Sequence, residues 1–484
     1  MGVLVIDIGT SGVRAAVVDL AAAIHHEHYA ETLPDTPADG IVEFDARAYV
    51  DAAIDCARRS LADADAAGLD VASIGISNQR GSAVVWDVIT GEPVAAAQGW
   101  QDLRTIGDCF VLAADGLRFA PNQAATKFAG IWNAVDPDRT RSLRCGTPET
   151  WLIWCLTEGA SFVTDPSNAS LTGLTTLDAA SWDPQILDRL GLPVDALPRI
   201  EDSSGPLGVA TVFDRPIPIH GVAGDQQASL VGQGCVRPGT AKVTFGTGGM
   251  LNLCVGPDRP TPEMRSPGGT FPLVAWRRGD EQMWAIEALM LSAGTNVQWL
   301  RDDLGIIDTA AQSAEIAGRC EHTDGVYYVP AQLGLGTPYW DYGARGILVG
   351  LTRGSGRAEV VRAVLEGVAH RGADLLEAAE RDSGLHIDTL RLDGGMSENP
   401  VFCQAVANAT GRRVEVAPVK DATALGAAFL AGLESGVWSG WDEIESLWSP
   451  SREVAPNAEL DRAAWARAVE RSLAWIPDLS AIDF

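Results

Sequence analysis

Three glycine turns, each following an apolar, strand-like run, mark places where this chain can approach a charged ligand with its backbone: Asp7-Ile8-Gly9-Thr10-Ser11-Gly12, Gly246-Thr247-Gly248-Gly249 and Asp393-Gly394-Gly395. Glycine turns the chain sharply and leaves the N–H groups uncovered, so successive amides can point at phosphate oxygens, and the Thr and Ser hydroxyls add donors. A single glycine turn after a strand is common and carries little. Three at corresponding points carry more. None has the dinucleotide spacing, because Gly246-Thr247-Gly248 would need glycine at 251, where Leu251 stands.

Two aspartates stand at the ends of apolar runs. Asp7 closes Val3 to Ile6, and Asp225 lies among small residues in Gly221-Val222-Ala223-Gly224-Asp225-Gln226-Gln227. A charge there is costly unless it is solvated, paired or bound to metal. Either aspartate alone fits a helix cap or a loop hydrogen bond as well as a chemical role. In the chemical reading Asp7 holds Mg²⁺, directly or through water, and Asp225 accepts the proton of an attacking hydroxyl. Phosphoryl transfer asks for little more than positioning, a metal to neutralise charge, and one base. A third set, Asn78-Gln79-Arg80 with Trp100-Gln101-Asp102, offers donors, acceptors and an aromatic face suited to a polyhydroxylated substrate. The other candidates are weaker. His25, His26 and His28 have no complementary cluster and read as a solvated hairpin, and His370-Arg371 lacks the aspartate of a protein-kinase catalytic loop.

The elements that must position these residues alternate. Strands are expected at Val3–Ile6, Val13–Val18, Val71–Ser77, Ile217–Ala223, Ala241–Phe245, Met250–Val255, Thr389–Leu392 and Val414–Val416. Helices are expected from the Asp45 N-cap to Ala67, at Glu149–Thr157, Glu287–Asp303, Glu359–Asp382, Ser397–Thr410 and Thr423–Leu433. A hairpin is expected around Thr90-Gly91, between Ala83–Asp87 and Pro93–Ala97. The strand–glycine turn–strand opening recurs after Gly239, which reads as an internal duplication of architecture. Strands alternating with helices in two such units give an α/β class with two lobes and a cleft between them, and the boundary falls in Gly232–Gly239. The lobes are expected at residues 1–235, binding sugar or polyol, and 236–484, binding nucleotide.

Composition narrows the partners. The 484 residues carry 64 Asp+Glu against 36 Lys+Arg, a formal net charge of −28. Such a chain suits neither a nucleic-acid groove nor an anionic membrane. Its three lysines, Lys127, Lys242 and Lys420, follow Thr, Ala and Val, so no Walker A loop is present. Eight scattered cysteines without a Cys-x-x-Cys, and no run approaching 18 apolar residues, point to a reducing, cytoplasmic location without a zinc site.

Taken together, these segments resemble the FGGY carbohydrate kinases over nearly the whole chain, and among them the glycerol kinases most. The resemblance rests on Asp7 to Arg14, Asn78-Gln79-Arg80, Val85-Trp86-Asp87, Trp100 to Thr105, Ala223 to Gln227 and Phe245 to Gly248. It continues through Pro338-Tyr339-Trp340-Asp341, Ala344 to Arg353, Asp393-Gly394-Gly395 with Asn399, and Ala422 to Ala428. It implies two ribonuclease-H-like lobes of the actin-like ATPase fold around a central cleft, with ATP and Mg²⁺ as cofactors and a small polyol or sugar as partner. It assigns Asp225 as general base and Asp7 with Asp225 as the magnesium environment. Thr10, Ser11, Arg14, Thr247, Gly294, Gln298, Gly395 and Asn399 match nucleotide positions. Arg80, Trp100, Asp225 and Gln226 match substrate positions. A homo-oligomer is left open.

Departures from the glycerol-kinase pattern bear on the substrate. Gly81 stands where those enzymes carry Glu, Asn122 where they carry Tyr, and Met250 where they carry Phe. Losing a carboxylate and two aromatic walls changes the contacts offered to a three-carbon polyol, and the expectation is a larger or differently shaped substrate. Glycerol itself is the alternative within the family. From other classes, the alternatives are a non-catalytic sugar-binding protein and a chaperone-like member of the same fold.

Overall fold

The computed structural model describes residues 1–419 and 422–482; Lys420 lies outside them. The first large sheet is built from β1 (Gly2–Ile8), β2 (Gly12–Asp19), β3 (Ile24–Glu31), β4 (Val71–Asn78), β5 (Ser204–Ala210) and β6 (Ile217–Gly224), in the order β5-β6-β4-β1-β2-β3. The second contains β7 (Ala241–Phe245), β8 (Gly249–Gly256), β9 (Phe271–Arg278), β10 (Glu281–Met290), β11 (Thr389–Asp393), β12 (Arg413–Val416) and β13 (Arg452–Val454), in the order β9-β10-β8-β7-β11-β12-β13. In each, the first strand pairs antiparallel with the strand after its glycine turn and parallel with a later strand, β1 with β2 and β4, β7 with β8 and β11. The repeat seen in the sequence is therefore a repeat of topology. Both central strands are largely buried; the Val3–Ile6 run of β1 is apolar throughout, whereas β7 carries Lys242 and Thr244 among its apolar residues.

The helices start and stop where local chemistry directs. In α1 (Ala46–Ala66) the Asp45 carboxylate accepts from the N–H groups of Arg47 and Ala48, and Gly68 follows the end in a left-handed conformation. Helix α2 (Asp225–Gly232) begins directly at the end of β6. In the second half come α3 (Thr295–Asp302), α4 (Arg357–Ser383), α5 (Pro400–Thr410) and α6 (Ala422–Ser435). Although it comes late in the chain, α6 packs against α2 and against β4 and β6 of the first sheet. The two helices cross almost backbone to backbone: a Cβ on Gly232 would lie 1.8 Å from the Ala422 carbonyl oxygen, and one on Gly426 1.7 Å from that of Ala228. Apolar side chains from β1, α2, α6 and β9 fill the space around this crossing.

Three local expectations change. Glu287 does not open a helix; Trp284 to Met290 belong to β10, a strand buried between β8 and β9, and the helix begins only after Gly294. An apolar run of that length fits either period, and pairing on both sides decides for strand. The expected helix from Ser397 divides into a short 3₁₀ turn and α5, because Asn399 caps the helix and Pro400 occupies its first position. In the region from 114 to 215 the structure adds a helix at Ala125–Val135, just after one at Ile106–Ala114. Among the described residues no helix is long and apolar enough to cross a membrane.

The helix crossing yields a stability prediction. Gly232→Ala or Gly426→Ala inserts a methyl group into backbone and should destabilise the fold by about 1–3 kcal/mol. Gly107→Ala, in a helix with nothing within 4 Å of the new carbon, should cost nothing. Thermal unfolding of the three variants checks this.

Candidate active site

The two aspartates singled out by their strand-end positions lie close enough to act on each other electrostatically. Asp7 stands near the end of β1, opposite Arg14 on β2 and beside Ser77 on β4, whose hydroxyl donates to Asp7 Oδ1 at 2.6 Å. Burial pushes its carboxyl up to about 6; Ser77 and Arg14 oppose the rise, and the charge of Asp225 adds to it. Asp225 is the first residue of α2, and the Gln226 N–H donates to its Oδ1 at 2.7 Å. Burial raises this carboxyl as well; Arg80, the Gln226 amide and Lys242 pull it down, and Glu287 adds to the rise. Both acids are thus held in surroundings that disfavour the anion until a cation or proton arrives.

Arg80 sits beside them with every edge engaged. Its Nε lies 3.1 Å from Asp225 Oδ1, Nη1 donates to Gln227 Oε1 at 3.3 Å, and Nη2 reaches Glu287 Oε2 at 3.0 Å. On β7, the buried Lys242 donates from Nζ to Gln226 Oε1 at 2.6 Å and to Thr244 Oγ1 at 2.8 Å. Its pKa is lowered by burial, against the charges of Asp393, Glu287 and Asp225. Asp393, at the end of β11, accepts from Ser229 Oγ and Gln233 Nε2 at 3.1 and 2.9 Å, while its Oδ1 has no protein partner. The sequence motifs do not bring out Glu287 and Lys242. Glu287 lies in a run that reads equally as helix, and Lys242 belongs to no motif, so neither is marked until the strands are paired.

The polyol set separates into two groups. Trp100 donates from its indole N–H to Thr10 Oγ1 at 3.1 Å, tying the expected substrate wall to the first glycine turn. Asn78 and Asp102 are absorbed by the scaffold: Asn78 pairs with Asn168, and Asp102 binds Arg104 and the Val42 N–H. Met250 lies half-buried on β8, and Asn122 is exposed on the loop before the 125–135 helix. Gly81 has φ +71, and a Cβ there would stand 2.1 Å from the Asn122 carbonyl oxygen. The Lys127 ammonium, its pKa lowered to about 8 by burial, fixes this approach by donating to the carbonyls of Pro121 at 2.7 Å, Gln123 at 2.9 Å and Gly81 at 3.4 Å.

Of the expected nucleotide residues, Thr247 and Gly294 meet: the Gly294 N–H donates to the Gly246 carbonyl at 2.8 Å, and the Ala293 N–H to that of Thr247 at 2.8 Å. Gln298 follows one turn on, exposed on α3. Gly395 faces open space, with nothing within 4 Å of where a side chain would begin. In the other half, Thr10 and Ser11 are fixed by their carbonyls, which accept from the hydroxyls of Tyr49 and Tyr29 at 2.9 and 3.2 Å, and Arg14 lies 3.8 Å from Glu27. The Asn399 side chain is occupied by the scaffold, since its Oδ1 accepts from the Val401 and Phe402 N–H groups and its Nδ2 donates to Ser313. The histidines likewise pair locally, His25 with Asp19 and His28 with Asp63, and no group of three metal-ligating side chains converges among the described residues.

Two destabilised carboxylates beside glycine turns suit a hard divalent cation and the phosphates it accompanies. Comparison with known proteins agrees with that chemistry. The N-terminal domain of the FGGY family of carbohydrate kinases matches residues 2–232, and its C-terminal domain matches residues 241–435. The chain is 39% identical over 494 residues to a glycerol kinase of Caldanaerobacter subterraneus, covering 98% of this chain and 99% of that protein. It is 41% identical over 500 residues to one of Symbiobacterium thermophilum, covering 98% of each. Among solved structures, Plasmodium falciparum glycerol kinase with ADP superposes with a TM-score of 0.90 at 29% identity over 98% of both chains. A xylulose kinase from Lactobacillus acidophilus superposes with a TM-score of 0.82 at 20% identity, covering 97% of this chain and 96% of that one.

Asp7 provides a pH-dependent test. The folded carboxyl keeps its proton to about pH 6, while the unfolded one releases it near 3.8. Ionising Asp7 therefore opposes folding, and its penalty grows from about pH 4 and is complete above about pH 6. Without divalent metal, Asp7→Asn should be more stable than the native protein at pH 7 by an order of 1–2 kcal/mol. The difference should vanish below pH 4. Denaturant titrations at the two pH values measure it.

Proposed function

The chain belongs to the FGGY family of carbohydrate kinases, and we propose that its cleft transfers the γ-phosphoryl group of ATP to a primary hydroxyl of a small polyol or sugar. It is a phosphotransferase with an alcohol acceptor, built on the two ribonuclease-H-like lobes of the actin-like ATPase fold. The observation that carries the proposed chemistry is Asp225. It stands at the first turn of α2, 3.1 Å from Arg80, with a carboxyl whose affinity for a proton is raised by burial.

In this reading Asp225 takes the proton of the substrate hydroxyl as its oxygen attacks the γ-phosphorus and ADP departs. Arg80 and the Gln226 side chain, whose carbonyl is already occupied by Lys242, orient the other hydroxyls. Trp100 gives the carbon skeleton an apolar face. The amides and hydroxyls of the two glycine turns, with Gly395, hold phosphate oxygens. Magnesium would be held by Asp7 and Asp225 and supplies neutralisation of phosphate charge. The eight cysteines, all unpaired, suit a reducing cytoplasm.

The substrate is read as a polyol or ketose longer than glycerol, because Gly81, Asn122 and Met250 offer neither the carboxylate nor the two aromatic walls of the glycerol-kinase pattern. Glycerol is the second reading, favoured by 39–41% identity over nearly full length to proteins named glycerol kinase.

ADP release measured across glycerol, tetritols, pentitols, ketopentoses and ketohexoses should show the highest kcat/KM on a substrate of four or more carbons. A clear preference for glycerol would reverse the order of the two readings. Asp225→Asn should retain substrate binding and lose about 10²–10⁴ in kcat. Near-normal turnover would remove Asp225 from the base role.

A further inference from the structure

Arg80 and Glu287 come from different sheets. Arg80 follows β4 of the first, and Glu287 lies in β10 of the second, 207 residues later. Their side chains are only 13% and 8% exposed, and Nη2 lies 3.0 and 3.3 Å from the two carboxylate oxygens. Glu287 is itself fixed: Asn252, its direct cross-strand neighbour on β8, donates from Nδ2 to Oε2 at 3.0 Å. The same guanidinium presents its Nε edge to Asp225. One cation thus joins two carboxylates from opposite lobes. Desolvating such a pair is repaid only when both partners are in place, so an arrangement with the lobes apart leaves Glu287 and Arg80 each without the other.

We propose that Glu287 is a positioning residue: its carboxylate reaches across the cleft to hold Arg80 against Asp225, so that bringing the lobes together and assembling the polyol site are one event. The catalytic half of this rests on the kinase reading above; the mechanical half does not. With Glu287 in place the closed, binding-competent arrangement is populated before substrate arrives. Without it, substrate binding must supply the closure, which lowers apparent affinity by the competent fraction while leaving the saturated complex nearly intact. A purely scaffolding role for Glu287 would lower the amount or stability of folded enzyme without this division between KM and kcat.

The test is Glu287→Gln, which keeps shape and a hydrogen-bond acceptor but removes the charge. KM for the best polyol should rise about 10- to 100-fold, the worth of a charge-assisted hydrogen bond, with kcat at saturation within a few-fold of the native enzyme. Small-angle X-ray scattering of the ligand-free protein should give a larger radius of gyration than the native chain. Glu287→Asp, which keeps the charge and shortens its reach by one methylene, should fall between the two in both measurements, and it serves if the glutamine variant does not fold. An unchanged KM and radius in a folded variant overturns the proposal, as does a loss confined to kcat. If the native protein phosphorylates no polyol, the functional reading fails while scattering still decides whether Glu287 holds the lobes together.

Discussion

Asp225, Arg80, Glu287, Lys242 and Asp393 act on one another where the two sheets face each other, and the desolvation of these charges constrains everything around them. A charged side chain removed from water must find a partner of opposite sign or a set of hydrogen bonds. Here several of the partners lie in the other half of the chain. Arg80 meets Glu287, Lys242 meets Gln226, and Asp393 meets Ser229 and Gln233. The balance is incomplete: Asp393 keeps an oxygen without a protein partner, and Asp7 and Asp225 are both held away from their ordinary ionisation. An incomplete charge balance beside glycine turns suits a cation and phosphate better than it suits a structural core.

These charges rest on a packed support on the first sheet, where α6 crosses α2 and covers β4 and β6. Because Gly232 and Gly426 bring the backbones together with no side chain between, the crossing is short, close-packed and specific in register. Asp225, the first residue of α2, sits one helix length from it. Both helices pack on the first sheet, so the crossing holds Asp225 to that sheet, while Glu287 and Lys242 reach it from the second. The architecture thus places an apolar, close-packed crossing behind the charges and a set of polar contacts between the sheets in front of it.

Asp7 and Asp225 are legible in the sequence because a charge at the end of an apolar run, bounded by small residues, is a local anomaly that needs no knowledge of the fold. The duplicated glycine turns are legible for the same reason, and β1–β2 and β7–β8 form as their patterns require. Glu287 is not, since Trp284 to Met290 fit a buried strand and a helix alike and only pairing with β8 and β9 separates them. Lys242 stands out in the sequence only as a lysine that makes no Walker A loop; its hydrogen bond to Gln226 arises from contact between sheets, which no local pattern encodes. Asn399 adds a feature the motif does not show: a residue that matches a nucleotide position also caps α5 with its side chain.

The substrate question has a similar origin. Seen as a sequence change, Gly81 is a missing carboxylate that a single substitution would restore. The structure makes it part of a contact between two segments. With φ at +71 and the Asn122 carbonyl 2.1 Å from where a Cβ would lie, no L side chain fits there without moving the 121–123 loop. Lys127, buried and bonded to carbonyls on both sides of that approach, resists the movement. Gly81, Asn122 and Lys127 therefore form one unit, in which the backbones of two segments pack against each other under one ammonium. A specificity determined in this way belongs to the packing of two loops rather than to one residue. It follows that Gly81→Glu alone adds strain without recreating a polyol contact, and that any conversion of the pocket must rebuild the loop and the glycine together.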